Sequence, residues 1–222
     1  MTTAANAAFV ETLDSALPQT QCTRCGYPCC RAYAEALAHG QADINQCPPG
    51  GDVTVRALAK MLGVAPKPID PKFGAHRPRR RALIDEGRCI GCRKCIDACP
   101  VDAIVGTHKW MHTVIAAQCS GCELCLPPCP VDCIDMVPIA MTARGGIWPE
   151  YTDQEVKDWR ARTLARLGRL ARRSERPKTG AASNRRDHAG SRETPSPNQI
   201  RAEIAVARER VRHKRGGSIF SK

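Results

Sequence analysis

The amino-acid sequence predicts an α+β chain. It reads as a small helical cysteine module, a second cysteine module built on short strands, and a basic tail that is partly helical and partly disordered. Three observations carry that prediction. All fourteen cysteines lie between positions 22 and 133 of 222 residues. Two cysteine-rich runs are near copies of each other at an offset of thirty. The charge is also divided: residues 1–156 hold 15 Lys+Arg against 16 Asp+Glu, and residues 157–222 hold 19 against 6. The formal +12 therefore belongs to the cysteine-free end.

The elements follow in order. Residues 1–64 form the first module. In "AFVETLDSAL" (8–17) the residues Phe9, Val10, Leu13, Ala16 and Leu17 share a helical face, and Pro18 ends the helix. "RAYAEALAHG" reads as a short helix stopped by Gly40, and "CPPGG" (47–51) as a turn. "VTVRALAKMLG" reads as an amphipathic helix with Val53, Leu58, Met61 and Leu62 as its apolar stripe. Residues 65–81 are Pro-rich and basic, a linker whose "HRPRRR" (76–81) is read as solvated. Residues 82–140 contain the repeat, with β-rich runs such as "HTVIAA" pairing between its halves. Residues 141–222 are the basic tail. A helix over 155–173 carries Val156, Trp159, Leu167 and Leu170 on its apolar side, 174–199 is expected to be disordered, and a last basic helix follows.

Nine aromatic residues are too few for a core-driven globule of this length. "MTTAANAAFVETLDSALPQ" has no basic n-region and no apolar run of signal-peptide length. No stretch approaches the ~18–20 apolar residues of a membrane span. The expected location is cytoplasmic, where thiols stay reduced and dense cysteine favours metal over disulfides.

"CIGCRKCIDACPVDAI" (89–104) recurs as "CSGCELCLPPCPVDCI" (119–134). C-x2-C-x2-C-x3-C-P, twice, is the bacterial ferredoxin pattern for two [4Fe–4S] clusters. Three thiolates within seven residues can wrap one face of a cubane while amide N–H groups turn toward its sulfurs. Gly91 and Gly121 permit the tight approach. The fourth Cys, followed by Pro, ligates the other cluster. The assignment is Cys89, Cys92, Cys95 and Cys129 to one cluster, and Cys119, Cys122, Cys125 and Cys99 to the second. Structural zinc seldom draws three ligands from a C-x2-C-x2-C run, so two complete copies disfavour it. The first module obeys another rule, Cys22-x2-Cys25-x4-Cys30-x16-Cys47, with Cys29 left over. Four thiolates there suit a third [4Fe–4S] cluster, with zinc as the alternative.

"LPQTQCTRCGYPCCRAYAEAL", "CPPGG" and "LAKMLGV", followed by the double ferredoxin pattern with "VDAIVG", "MHTVI" and "CPVDCI", resemble the B subunit of the Rnf (Rsx) electron-transport complex from about residue 10 to 139. The order of a single-cluster module before a two-cluster ferredoxin is more specific than either pattern alone. The resemblance implies iron–sulfur electron transfer, with other subunits of such a complex and redox proteins as partners. It implies Cys22, Cys25, Cys30 and Cys47 as ligands of a third cluster. The family carries Gly where this chain has Cys29, which makes Cys29 the extra thiol, although a substitute-ligand role stays open. The family's apolar membrane anchor is not seen in this sequence, and the basic tail is outside the shared pattern.

The remaining features are weighed on chemistry. Cys133 occupies the place of Ala103 in the other half, which suggests a small buried residue, with a tuning thiol near the second cluster as the alternative. His108 and His112 read as surface or packing residues. The tail helix suits solvation or peripheral contact with the cytoplasmic face of a membrane. Nucleic acid is disfavoured, because the tail lacks interleaved aromatic residues. No dinucleotide, P-loop or nucleophile pattern occurs, so no catalytic residue is assigned and an independent enzymatic activity is left open. The contrasting hypothesis is a non-redox protein that binds nucleic acid or membrane, its clusters or zincs serving only to staple the fold.

Overall fold

The computed structural model describes residues 3–139 and 147–175, all within one compact unit, Met1–Glu175. Three helices come first: α1 (Thr3–Ser15), α2 (Cys30–Ala38) and α3 (Gly51–Leu62). The second module contains β1 (Arg80–Ile84), α4 (Lys94–Ala98), β2 (Ile104–Val105), β3 (Thr113–Val114) and β4 (Ile134–Pro138). A long α5 (Asp153–Glu175) follows.

The first core joins the three helices. Leu13, Leu17, Tyr33, Leu37, Val55 and Leu58 are among its buried members, and each large aliphatic residue removed from water stabilises the fold by about 1.5–3 kcal/mol. α1 ends in tight turns, with the amides of Ala16 and Leu17 donating to the carbonyls of Leu13 and Asp14. Pro18 lies just beyond. Gly40 and Gly63 adopt φ +67 after α2 and α3, the left-handed stop that glycine allows. The buried face of α3 differs from the expected stripe: it consists of Thr54, Val55, Leu58 and Ala59, with Met61 exposed. Thr54 can be buried because its hydroxyl is hydrogen-bonded.

The second core is poor in aliphatic residues and rich in cysteine. Ile84, Val101, Ala103, Ile104 and Ile134 pack with buried Cys95, Cys99, Cys119 and Cys125. Two antiparallel ribbons cross between the halves of the repeat. β1 pairs with β4 from Arg80↔Pro138 to Ile84↔Ile134, and β2 pairs with β3 at Ile104↔Val114. The repeat is written into the backbone as well. Left-handed φ values recur at Gly91 and Gly121, Arg93 and Glu123, and Asp102 and Asp132.

Residues 147–175 are not a solvated appendage. Trp148, Tyr151, Val156 and Trp159 belong to the second core, and Tyr151 stands edge-on to Trp159 at 5.5 Å. The buried side of α5 is Val156, Trp159 and Thr163, while Leu167 and Leu170 are exposed, against the expected stripe. The attachment is also ionic. Arg166 and Arg169 both bind the Asp102 carboxylate, and Arg160 binds Asp14 and Glu11 of α1. The Pro-rich segment is likewise tied down, because Arg79 forms a bidentate pair with Glu155 and lies 5.2 Å over the Trp159 ring. Within "HRPRRR", Arg79 is therefore a packed residue. Residues 140–146 and the expected tail elements after residue 175 lie outside the described residues. Among those described, no helix is long and apolar enough to cross a membrane.

Candidate metal centres

The cysteine loops are shaped by backbone that most residues avoid. Arg93 and Glu123 take φ of 68 and 65 immediately after Cys92 and Cys122, a conformation costing about 1–2 kcal/mol per non-glycine residue. Alternation of right- and left-handed residues turns successive N–H groups to one side, a concavity that suits an anion. A Cβ on Gly91 would lie 2.5 Å from the backbone nitrogen of Trp110, and one on Gly121 would collide with the Arg80 carbonyl. Both glycines are required by close packing as well as by φ.

Amides do reach the sulfurs. The His112 N–H donates to Cys89 Sγ at 3.3 Å and the Ala82 N–H to Cys119 Sγ at 3.5 Å. Donors and acceptors in these two bonds are each thirty residues apart, so the halves serve each other symmetrically. The Ala103 N–H donates to Cys99 Sγ at 3.2 Å. Such bonds favour the anionic form of sulfur.

One cavity is lined by Cys89, Cys92, Cys95 and Cys129 together with Cys133 and His112. Cys129 thus stands with the first half of the repeat. Cys122 is pushed up to about 12, first by burial and then by the charges of Cys99, Cys125 and Cys119. Cys125 reaches about 12 through burial and then Cys119 and Cys99. These four thiols form the second group. In the first module Cys30 is pushed well up by burial and then by Cys47 and Cys22, and Cys47 is raised by burial and then by Cys22 and Cys25. Cys29 instead caps α2 without a side-chain hydrogen bond and lines a different cavity, beside Gln19, Arg31 and Leu164.

Buried thiols that repel one another as thiolates need a positive core to stay ionised, so the donor sets fit metal.

The first module's loop is braced by a buried polar chain. Gln19 donates to Asp14, Gln21 donates to Gln19 Oε1 at 2.8 Å, and the Cys30 N–H donates to Gln21 Oε1 at 2.9 Å. That loop also abuts the second group. Ser120 donates to the Thr20 carbonyl at 2.9 Å, and Glu123 accepts from both Arg24 and Arg80.

Cys133 and His112 are both buried, as a small core residue and a packing residue would be. Cys133 Sγ lies 3.6 Å from Cys129 Sγ, which puts it beside the first-repeat cavity and not near the second cluster, because Cys129 crosses over and carries Cys133 with it. His112 is buried, with Nδ1 3.3 Å from Cys95 Sγ and Nε2 without a partner. Its signal was the offset itself, since His112 is the counterpart of Ala82. His108 is exposed.

A family model described as "4Fe-4S dicluster domain" matches residues 82–136, and a second model, named FeS, matches residues 17–49. The B subunit of the ion-translocating oxidoreductase complex of Thiobacillus denitrificans is 65% identical over 132 residues, covering 60% of this chain and 70% of that protein. The protein of the same name from Azoarcus is 58% identical over 140 residues, covering 63% and 76%, and that from Hahella chejuensis is 59% identical, covering 63% and 71%. No solved structure matches the chain. With its paired cysteine groups and these relatives, the chain belongs to the family formed by the B subunits of ion-translocating oxidoreductase complexes, an iron–sulfur family of electron-transfer proteins.

Proposed function

We propose that the chain carries single electrons through three [4Fe–4S] clusters as the B subunit of an ion-translocating oxidoreductase complex. Cys89, Cys92, Cys95 and Cys129 would hold one cluster, Cys119, Cys122, Cys125 and Cys99 the second, and Cys22, Cys25, Cys30 and Cys47 the third. The observation that carries this reading is the cavity Cys129 shares with Cys89, Cys92 and Cys95. Such crossing is the ligation a C-x2-C-x2-C-x3-C-P pair makes in two-cluster ferredoxins. When bound, each cluster supplies a one-electron couple. The chain's own contribution is to keep the thiols ionised with N–H donors and to exclude water by burial.

The contact of the Thr20–Arg24 loop with Ser120 and Glu123 supports a linear order, with the N-terminal centre next to the second ferredoxin centre and the first ferredoxin centre outermost. The modules are 1–64 and 82–140 joined by 65–81, with the beginning of 141–222 bracing both. Partners are redox proteins and the other subunits of the complex. Peripheral membrane contact on the cytoplasmic side would fall to arginines such as Arg162, Arg172 and Arg173, which make no ion pair among the described residues.

Anaerobic purification tests the reading. About twelve iron and twelve sulfide per chain are expected, as three four-iron clusters require, with visible absorption that bleaches under dithionite. Zinc without visible absorption would overturn it.

A further inference from the structure

The two halves of the repeat agree in their thiols and in the amides that serve them, but not in two buried side chains. Beside Cys89, Cys92, Cys95 and Cys129, the first centre, stand Cys133 and His112. Their counterparts thirty residues earlier, at the second centre, are Ala103 and Ala82. We propose that Cys133 and His112, acting through Cys129 and Cys95, hold the first centre at a higher reduction potential than the second. An electron shared by the two centres then settles at the outer one. The proposal rests on the reading of these thiols as cluster ligands and deepens it.

Backbone donors are balanced between the centres. The amides of His112 and Ala82 serve Cys89 and Cys119. Those of Cys133 and Ala103 serve Cys129 and Cys99. Only the side chains differ. Cys133 Sγ lies 3.6 Å from Cys129 Sγ, and His112 Nδ1 lies 3.3 Å from Cys95 Sγ. A ligating thiolate has no proton to give, so the Cys133 S–H and the His112 Nδ1–H are the donors. The methyl groups of Ala103 and Ala82 offer the second centre no such bond.

Packing does not account for the two polar side chains. Ala103 and Ala82 are 1% and 4% exposed, so the fold closes over a methyl group at both places. Cys133 and His112 are buried as deeply, at 3% and 1%. The ring of His112 lines the cavity of the four thiols and leaves its Nε2 without a partner. An unpaired buried nitrogen costs stability, which a role at the sulfur justifies and space-filling does not.

The sign follows from charge. Reduction adds one negative charge, and hydrogen bonds to sulfur offset it, which raises the potential. Exposure acts in the same direction, because Cys89, Cys92 and Cys129 are partly exposed whereas Cys99, Cys119 and Cys125 are buried. Arg24 and Arg80, beside the second centre's loop, are both held by Glu123, which neutralises part of their charge. In the exchange the second centre is oxidised by one electron and the first reduced by one. No bond forms or breaks and no proton moves.

The test is a potentiometric titration of anaerobically purified full-length holoprotein with dithionite, followed by electron paramagnetic resonance. Cys133→Ala and His112→Ala should each shift one couple downward by about threefold in its equilibrium constant, and together by about tenfold, which is 59 mV for a one-electron couple. Cys133→Ser keeps a donor and should restore most of the shift. Iron content and thermal midpoint should not change. Ala103→Cys gives an independent arm if the His112 variant fails to fold, and it should raise the other couple. Unchanged couples in iron-replete variants would overturn the proposal and leave the cluster reading standing. Loss of one cluster's iron in His112→Ala, with Cys133→Ala intact, would make His112 a ligand and overturn its role as a donor. A wild-type chain without iron would overturn both readings.

Discussion

The indole N–H of Trp148 donates to the hydroxyl of Thr54 at 2.8 Å, and both side chains are buried. One bond thus ties α3 of the first module to the segment that completes the core of the second. Thr54→Val keeps the shape and removes the acceptor. A buried N–H left unpaired costs about 1–3 kcal/mol, so denaturant unfolding should move to lower midpoint by that amount. Thr54→Ser should retain most of the stability.

Residues 147–175 brace both modules, so the position of a truncation matters. Ending the chain at residue 146 removes Trp148, Tyr151, Val156 and Trp159 from the second core. Truncating a single buried Trp to Ala costs about 3–5 kcal/mol, and losing four core members should unfold the ferredoxin module or strip its iron. Ending at residue 175 should preserve thermal stability and iron count. Equal iron in the two truncations would show that the brace is dispensable.

Acid should loosen the same brace. Burial pushes the Glu155 carboxyl up, but the Arg79 guanidinium and the Thr152 amide outweigh it and hold the group below its ordinary 4.5. The Arg160 guanidinium holds Glu11 below 4.5 as well, against a smaller effect of burial. Both carboxyls bind a proton more weakly in the folded chain than in the unfolded one. Their stabilisation is therefore complete above 4.5 and is lost as pH falls through the lowered folded values. Thermal midpoints should decline below about pH 4.5, and Arg79→Ala combined with Arg160→Ala should flatten that decline.

Adjacent Cys29 and Cys30 should behave differently. Cys30 is raised by burial and by Cys47 and Cys22, while Cys29 faces the cavity beside Gln19 and Leu164. Cys30→Ser should lose about four iron of twelve, one cluster's worth, and Cys29→Ser none. The opposite pattern in iron assays would reassign the ligand.

Gly91→Ala should be costly although it adds one methyl group. The position combines φ +68 with a Cβ only 2.5 Å from the Trp110 nitrogen. Left-handed strain alone is about 1–2 kcal/mol, and the collision must displace backbone. Lower thermal stability and lower iron occupancy are expected. The equivalent Gly121→Ala should act on the second centre.

The repeat made much of this legible. The offset of thirty reappears in the backbone as left-handed φ at Gly91 and Gly121, Arg93 and Glu123, and Asp102 and Asp132, while the matching roles of Ala82 and His112 went unread. Helices α1 and α2 follow from apolar spacing and their stop residues. What was hidden depends on partners far apart in sequence. Arg79 finds Glu155, and Arg160 finds Glu11, across 76 and 149 residues, and no local pattern encodes such pairs. Thr54 looks like a surface residue until Trp148 supplies its hydrogen bond. Leu167 and Leu170 have helical spacing but no cover among the described residues, so periodicity alone overstated the buried length of α5.

The late position of the Trp148–Trp159 brace has a consequence for biogenesis. Ribosomes extrude all fourteen thiols, the last at Cys133, before the residues that lock the modules together. Nascent chains thus pass through an interval in which the thiols have emerged and the residues that clasp the modules together have not.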